Sequence, residues 1–366
     1  MVTFLRRAIV VISFLCLLAG VSVEAQELVL EQSEAIRAEV VEILSQEVRT
    51  IPGTETEHIY QTIKAKILTG VRKGEVLTVE NDYLELEVGD VFYLNHSYGG
   101  VDGRDIYAVS DPYRLPAIFF FVGLFIVAVL LLGGIQGLRG LLALSGSILL
   151  IFYVLLPSVI AGYSPILVSL AVASLIIILG SYITHGFNRT TTSAVIGMLI
   201  TITFTSLLAY FAVTETKLSG YESDEAVYLN FDTKGTLDLA GLLLGGIMIG
   251  LLGVLYDVAI AQAISVEELF RAGRHQSRKE VYLRALRMGR EHIGALVNTL
   301  AIAYVGVSLP LLLLFYISSA DPLITLNREI FATEIIRTMI GSIGLVLAVP
   351  ITTAIAVYML VKKKEK

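Results

Sequence analysis

The chain has 366 residues, of which 55% are hydrophobic and 16% charged, with a mean hydropathy of +0.76 and a net charge of −6. This composition excludes an ordinary soluble protein, and 33 acidic against 27 basic residues without a long basic tract exclude a nucleic-acid partner. The single cysteine, Cys16, sits in an apolar N-terminal run, so the mature chain is expected to have no disulfide, thiolate zinc site or cysteine nucleophile.

Arg6 and Arg7 precede an apolar stretch over 8–23, and Val23-Glu24-Ala25 offers small residues where a signal peptidase reads them. This pattern predicts a signal peptide over 1–25. Retained instead of cleaved, the same segment would be a signal anchor and an eighth helix, and the domain after it would still end up outside.

Residues 26–112 are polar, with 17 acidic and 7 basic residues. Short alternating runs over 35–44, 58–68, 75–80, 83–88, 90–94 and 105–109 are separated by turn signals such as Pro52-Gly53, Gly70, Lys73-Gly74, Asn81-Asp82 and Gly99-Gly100. A small all-β domain is predicted, an antiparallel barrel or sandwich of five or six strands.

Seven apolar stretches follow, over 115–132, 141–160, 166–183, 194–213, 239–264, 293–317 and 335–361. Each is long enough to cross a hydrocarbon core that needs about 20 helical residues. The predicted fold is therefore a polytopic α-helical membrane protein of about seven transmembrane helices over 113–361, with a small N-terminal all-β extracytoplasmic domain. Lysine and arginine set its orientation. Segments 133–140, 184–193, 265–292 and the basic tail over 362–366 hold 13 basic residues, against three, Lys217, Lys234 and Arg328, in the alternate loops. The expectation is a bacterial plasma-membrane protein with its N-terminal domain outside and its C-terminus in the cytoplasm.

In the longest inner segment, Ser277-Arg278-Lys279-Glu280 has the form of a capping box. The helix it starts would carry Val281, Ala285 and Met288 on one side and Arg284, Arg287 and Arg290 on another. It could lie in the headgroup layer with those arginines on anionic lipid, or the arginines could simply set topology on a solvated connector. The loop over 214–236, with five acidic residues and two lysines, reads as a cation-attracting vestibule or as an ordinary solvated loop.

Ionisable groups inside a span are costly and point to a partner or a water-filled cavity. In the fifth stretch Gly246, Gly250, Gly253, Asp257 and Ala261 fall on one helical face. The glycines would let another backbone approach and place the carboxylate in that contact. Asp257 then reads as a proton- or cation-coupling group, or as a buried structural aspartate. In the sixth stretch Glu291, Gly294, Asn298 and Ala301 share a face with Thr299 beside it, so Asn298 and Thr299 are candidates for a pathway or for helix packing. In the seventh, Glu334 and Arg337 are spaced as a helix-end ion pair, and Pro350 is expected to kink the span. No catalytic residue, metal site or cofactor motif is predicted. His58, His96, His185, His275 and His292 form no His-Glu-x-x-His pattern, and there is no Gly-x-x-x-x-Gly-Lys-Ser/Thr loop. Ala143-Leu144-Ser145-Gly146 and Tyr256-Asp257 each match only part of an intramembrane protease signature.

The run Gly250-Leu-Leu-Gly253-Val-Leu-Tyr-Asp257-Val-Ala-Ile-Ala, then Ser277-Arg-Lys-Glu280, Met288-Gly-Arg290, Asn298-Thr299-Leu300 and Ser308-Leu-Pro310 resembles the YibE/YibF-like family of bacterial multi-pass membrane proteins. Gly186-Phe187-Asn188 and Gly341-Ser-Ile-Gly344-Leu-Val-Leu-Ala-Val-Pro350 belong to the same resemblance, which runs in order from Ile36 to the last helix. Gln262 departs from it, at a position where a small or hydroxylated residue is expected. The resemblance implies an extracytoplasmic domain on a multi-helix membrane part and assigns no substrate. The functional expectation is a secondary transporter or permease for a small solute or ion, with Asp257, Asn298, Thr299, Gly246, Gly250 and Gly253 around its pathway. The alternative is a non-transporting scaffold or sensor whose outer domain binds a partner. The expected partners are the lipid bilayer and a second copy or partner subunit.

Overall fold

The computed structural model describes residues 33–50, 57–82, 84–97, 105–273 and 276–361. The predicted signal peptide with Cys16, the Pro52-Gly53 and Gly99-Gly100 turns, His275 and the basic tail lie outside the described residues. The chain forms two compact units, Glu24–Ala128 and Val129–Lys366.

The first unit is built on five strands, β1 (Ser33–Thr50), β2 (Glu57–Ile67), β3 (Val76–Asn81), β4 (Val91–Ser97) and β5 (Ile106–Pro112). They form one antiparallel half-barrel sheet in the order β3-β2-β1-β4-β5. The alternation seen in the sequence is the burial pattern. Ile36, Ala38 and Val40 of β1 face inward beside Ile63, Ala65 and Ile67 of β2 and Phe92 and Leu94 of β4. Burying each of the larger side chains is worth roughly 1.5–3 kcal/mol. Register shifts after Val40 and Ile43 turn the far half of β1 away from this core, which leaves Val41, Leu44 and Val48 exposed.

Of the run expected as a strand over 83–88, the described residues 84–88 form none. Leu86 enters the core instead, and its backbone bonds go to a side chain. Its N–H donates to Gln61 Oε1 at 3.0 Å, and Gln61 Nε2 donates to its carbonyl at 2.9 Å. The Asn81 amide bonds the Leu84 N–H and carbonyl in the same way, so two fully buried amides stand in for a neighbouring strand.

The second unit is helical. Its helices are α1 (Leu115–Leu150, beginning in the first unit), α2 (Leu156–Ile160), α3 (Pro165–His185), α4 (Arg189–Glu215), α5 (Asp224–Asp232), α6 (Leu239–Ala272), α7 (Arg278–Val307), α8 (Leu309–Ile317), α9 (Pro322–Leu326) and α10 (Glu329–Leu360). A π-helical turn, Ile151–Leu155, joins α1 to α2. Five helical stretches are long and apolar enough to cross a membrane, or six if the bent pair α7 and α8 forms one span. The caps are local sequence effects: Asn188, Asp238 and Ser277 each accept a backbone N–H in the first turn of α4, α6 and α7.

α4, α6 and α10 pack on one another, with α3 against α4 and α6, and α7 against α6 and α10. Met198 and Ile202 of α4, Met248, Leu251 and Leu255 of α6, and Leu345 and Val349 of α10 are buried in this core. The backbones come close where side chains are small. A Cβ at Gly197 would lie 3.0 Å from the Thr352 Cα, and one at Gly344 would lie 2.8 Å from Leu251 Cδ2.

Three expectations are corrected here. The connector expected over 265–292 shrinks to five residues, because α6 continues to Ala272 and the Ser277 capping box starts α7, which runs unbroken into the expected sixth span. The arginines therefore sit on the first half of a long helix and not on a separate surface helix, and Met288 is exposed while Gly289 takes the buried position beside Val281 and Ala285. Pro350 does not interrupt α10, which stays helical from Glu329 to Leu360. The break occurs at Ser308, where α7 and α8 meet at 71°, since Pro310 in the first turn of α8 lacks an N–H.

Candidate functional site

The four predicted positions on α6 do share one face, and that face is open. Gly246, Gly250, Gly253 and Asp257 are all exposed, whereas Met248, Leu252 and Leu255 point into the core. A Cβ at Gly246 or Gly253 would meet nothing within 4 Å, and one at Gly250 would meet only the Tyr304 hydroxyl of α7, at 3.0 Å. The expected backbone contact along this stripe is not made within the described residues; close packing uses Gly197 and Gly344 instead. Asp257 makes no hydrogen bond or ion pair among the described residues. Its neighbour Tyr256 does, with its hydroxyl reaching Thr184 Oγ1 and the Gly180 carbonyl of α3.

Asn298 and Thr299 are likewise exposed on α7. The Thr299 hydroxyl donates to the Ala295 carbonyl at 2.9 Å and is satisfied within its own helix, but the Asn298 amide has no partner among the described residues. Both unpaired groups sit on helices that also carry long apolar surface. In hydrocarbon an unpaired carboxylate or amide costs several kcal/mol.

Glu334 and Arg337 are brought together as predicted, with Arg337 Nη1 2.7 Å from Glu334 Oε1. The pair belongs to a larger network. Arg337 Nη2 lies 2.6 Å from Glu222 Oε1, and Ser308 at the break between α7 and α8 donates to Glu334 Oε2 at 3.1 Å. Each of the three charged side chains is less than a quarter exposed. One guanidinium therefore joins α10, the loop before α5 and the α7–α8 break, with two carboxylates for one positive charge. A turn and a half earlier on α10, Glu329 accepts from the Ser219 and Gly220 N–H groups at 2.7 and 2.8 Å, which anchors the same loop a second time. Glu222 and Ser308 were missed in the sequence. Glu222 lies among acidic residues that read as a solvated loop, and Ser308 carried a signal only through its place before Pro310.

Arg284, Arg287 and Arg290 are exposed along the first half of α7, opposite the buried Val281, Ala285 and Gly289. Among the described residues no three His, Cys, Asp or Glu side chains group closely enough to hold a metal ion.

No curated protein and no solved structure matches the chain. Residues 121–362, which include α1 from its first turns to the end of α10, match the YibE/F-like protein family. The chain, with the open Asp257 face and the Arg337 network inside the matched region, belongs to that family.

Proposed function

We propose that this protein is a secondary transporter or permease for a small solute or ion in the bacterial plasma membrane. The observation that carries the reading is the unpaired Asp257 carboxylate, which shares an open, glycine-lined helix face that among the described residues meets only Tyr304, at Gly250. A carboxylate and, on the next helix, an amide facing acyl chains would be expensive, whereas along a water-filled pathway they are solvated and can bind the solute or a coupling cation. The Arg337 network stands beside the α7–α8 break, and broken spans are where transporters place ion and substrate groups. No nucleotide-binding loop is present in the sequence, so a coupling ion or a partner subunit would supply the energy.

In this reading the membrane part has seven spans, with the N-terminal domain outside and the C-terminus in the cytoplasm. Two features support the count. The backbone at Gly134 leaves the helical region (φ 53°, ψ −135°), and a Cβ at Gly137 would lie 2.3 Å from the Val129 carbonyl oxygen, although eight residues of straight helix rise about 12 Å. Gln136 then donates to the Thr184 carbonyl at the end of α3. In this reading the chain from Gln136 to Ile160 runs back along α3, and α1 is two spans that meet at Gly134. Arg284, Arg287 and Arg290 would face anionic headgroups on the inner side.

The second reading is a membrane scaffold or sensor in which the Gly246–Asp257 face is a dry seam against a second copy. The open stripe of small residues favours it, because such stripes admit a second helix. Single cysteines at Gly246, Gly250, Gly253 and Asp257, and at the buried Met248, Leu252 and Leu255, in a Cys16→Ser background, separate the two. Labelling of the first set alone by a membrane-impermeant thiol reagent, dependent on the side of addition or on pH, is expected for transport. A stripe that stays unlabelled in every condition while loop cysteines react would replace the transporter with the scaffold.

A further inference from the structure

At the end of the helical unit where α3 stops and α4 begins, a cleft of about 490 Å³ opens between α4, α6 and the end of α10. Its floor is apolar, made by Ile260, Ala263, Ile264 and Leu360. Its walls are polar and carry Arg189, Glu267 and Arg271. The charges are unevenly paired. Glu267 pairs with Arg271 and accepts from the Thr190 hydroxyl, and Arg271 also lies 3.6 Å from Glu268, which is not one of the lining residues. Arg189 has no hydrogen bond or ion pair among the described residues. Arg271 is thus shared by two carboxylates, and Arg189 is the guanidinium in the lining that neither of them reaches.

We infer that this cleft binds the headgroup of an anionic glycerophospholipid, with a single phosphodiester charge beside Arg189 and the first part of an acyl chain along Ile260, Ile264 and Leu360. The unpaired guanidinium selects the class. Arg189 complements one phosphodiester, whereas a zwitterionic lipid brings an ammonium group that Arg189 repels. The position selects a lipid over a free anion: apolar floor and cationic wall meet in one cleft at the end of helices long enough to span a bilayer, where headgroup passes into acyl chain. Glu267 is compatible with this ligand, because its carboxylate can accept from hydroxyls of a glycerol headgroup while its own charge is held by Arg271. The inference is independent of whether the protein transports anything.

The test uses the full chain purified in a neutral detergent and stripped of lipid. Micelles doped with dioleoyl phosphatidylglycerol, micelles doped with dioleoyl phosphatidylcholine, and inorganic phosphate alone are compared by thermal unfolding and by counting retained lipids in native mass spectrometry. Phosphatidylglycerol is expected to raise the melting temperature and to leave one retained lipid. Arg189→Gln is expected to weaken that titration about tenfold, the scale of one charge-assisted hydrogen bond, while Lys279→Gln, an exposed cation outside the cleft, leaves it unchanged. Ile264→Glu, which sets a carboxylate on the apolar floor, is expected to abolish retention and provides a second readout if Arg189→Gln lowers the yield. Equal effects of the two lipids, equal behaviour of the Arg189 and Lys279 variants, or unchanged retention in Ile264→Glu would each overturn the inference. A shift with inorganic phosphate alone that depends on Arg189 would overturn the lipid in favour of a soluble anion.

Discussion

Gln262 of α6 holds its Oε1 3.1 Å from the Thr353 hydroxyl of α10, and its Nε2 fills the space that a side chain at Gly289 of α7 would need. The Thr353 proton is shared with the Val349 carbonyl, 2.6 Å away, so the amide lies in a three-helix junction that is only 5% exposed at Gln262. Gln262 therefore makes a buried polar contact. It is paid for by a glycine across the junction.

The first prediction follows from that geometry. In Gly289→Ala the new Cβ would lie 2.3 Å from Gln262 Nε2 and 2.5 Å from Val349 Cγ1. Overpacking of this kind costs about 1–3 kcal/mol. Gln262→Ala alone should also destabilise, by leaving a cavity, but the double variant should recover part of the Gly289→Ala loss. Thermal unfolding of the four proteins in detergent checks this, and strictly additive losses would mean that the two residues do not share the space.

How far the sequence can be read is visible in the same residues. The α6 stripe was legible as one helical face because 3.6-residue periodicity is local. Its surroundings were not, since which face meets which helix depends on partners far along the chain: Gly197 and Gly344 pack closely and Gly246 and Gly253 do not, with nothing in their immediate neighbours to say so. Glu334 and Arg337, three residues apart, were legible; Glu222, 115 residues from Arg337, was not. The segment over 83–88 alternates like a strand, yet two buried amides, Asn81 at Leu84 and Gln61 at Leu86, bond its backbone instead. Long apolar helices and their caps were legible for the opposite reason, that length, composition and first-turn hydrogen bonding are set within each segment.

The Arg337 network should matter more than an exposed ion pair. Surface pairs contribute about 0–1 kcal/mol and breaking a fully buried pair costs about 3–5 kcal/mol, so Arg337→Gln at under a quarter exposure should fall between these limits. It leaves two carboxylates facing each other without their cation. Adding Glu222→Gln should restore part of the loss by removing one negative charge, and a double variant less stable than Arg337→Gln would show that the two carboxylates do not repel.

The β domain should respond to alkaline pH through Tyr107. Burial pushes its phenol above the usual tyrosine range, and nearby Asp105 and Glu75 act the same way while Arg72, whose Nη1 donates to the phenol oxygen at 2.9 Å, opposes them. A group whose pKa is raised on folding contributes stability that is fully present below its unfolded value, near 10, and is lost as pH rises through the folded value. Hydrogen exchange of the strands in the full-length protein should therefore speed up above about pH 10 beyond the ordinary base-catalysed rise. Tyr107→Phe should remove that excess, and an unchanged excess would assign it to another group.

The turn at Gly134 tests the span count directly. Its φ of 53° with ψ of −135° lies outside every region that a residue with a Cβ occupies comfortably, so Gly134→Ala should cost about 1–3 kcal/mol and lower the melting temperature or the yield. If α1 divides there, a cysteine at Leu138 stands at the same end of the bundle as Arg189, because Gln136 is bonded to the last turn of α3. An impermeant thiol reagent should then label Leu138→Cys and Arg189→Cys from the same side, and label a cysteine at Tyr163, between α2 and α3, from the other. Labelling of Leu138→Cys and Tyr163→Cys from one side, or protection of Leu138→Cys from both, would mean that the chain over 115–160 does not cross twice, and the seven-span reading would fall with it.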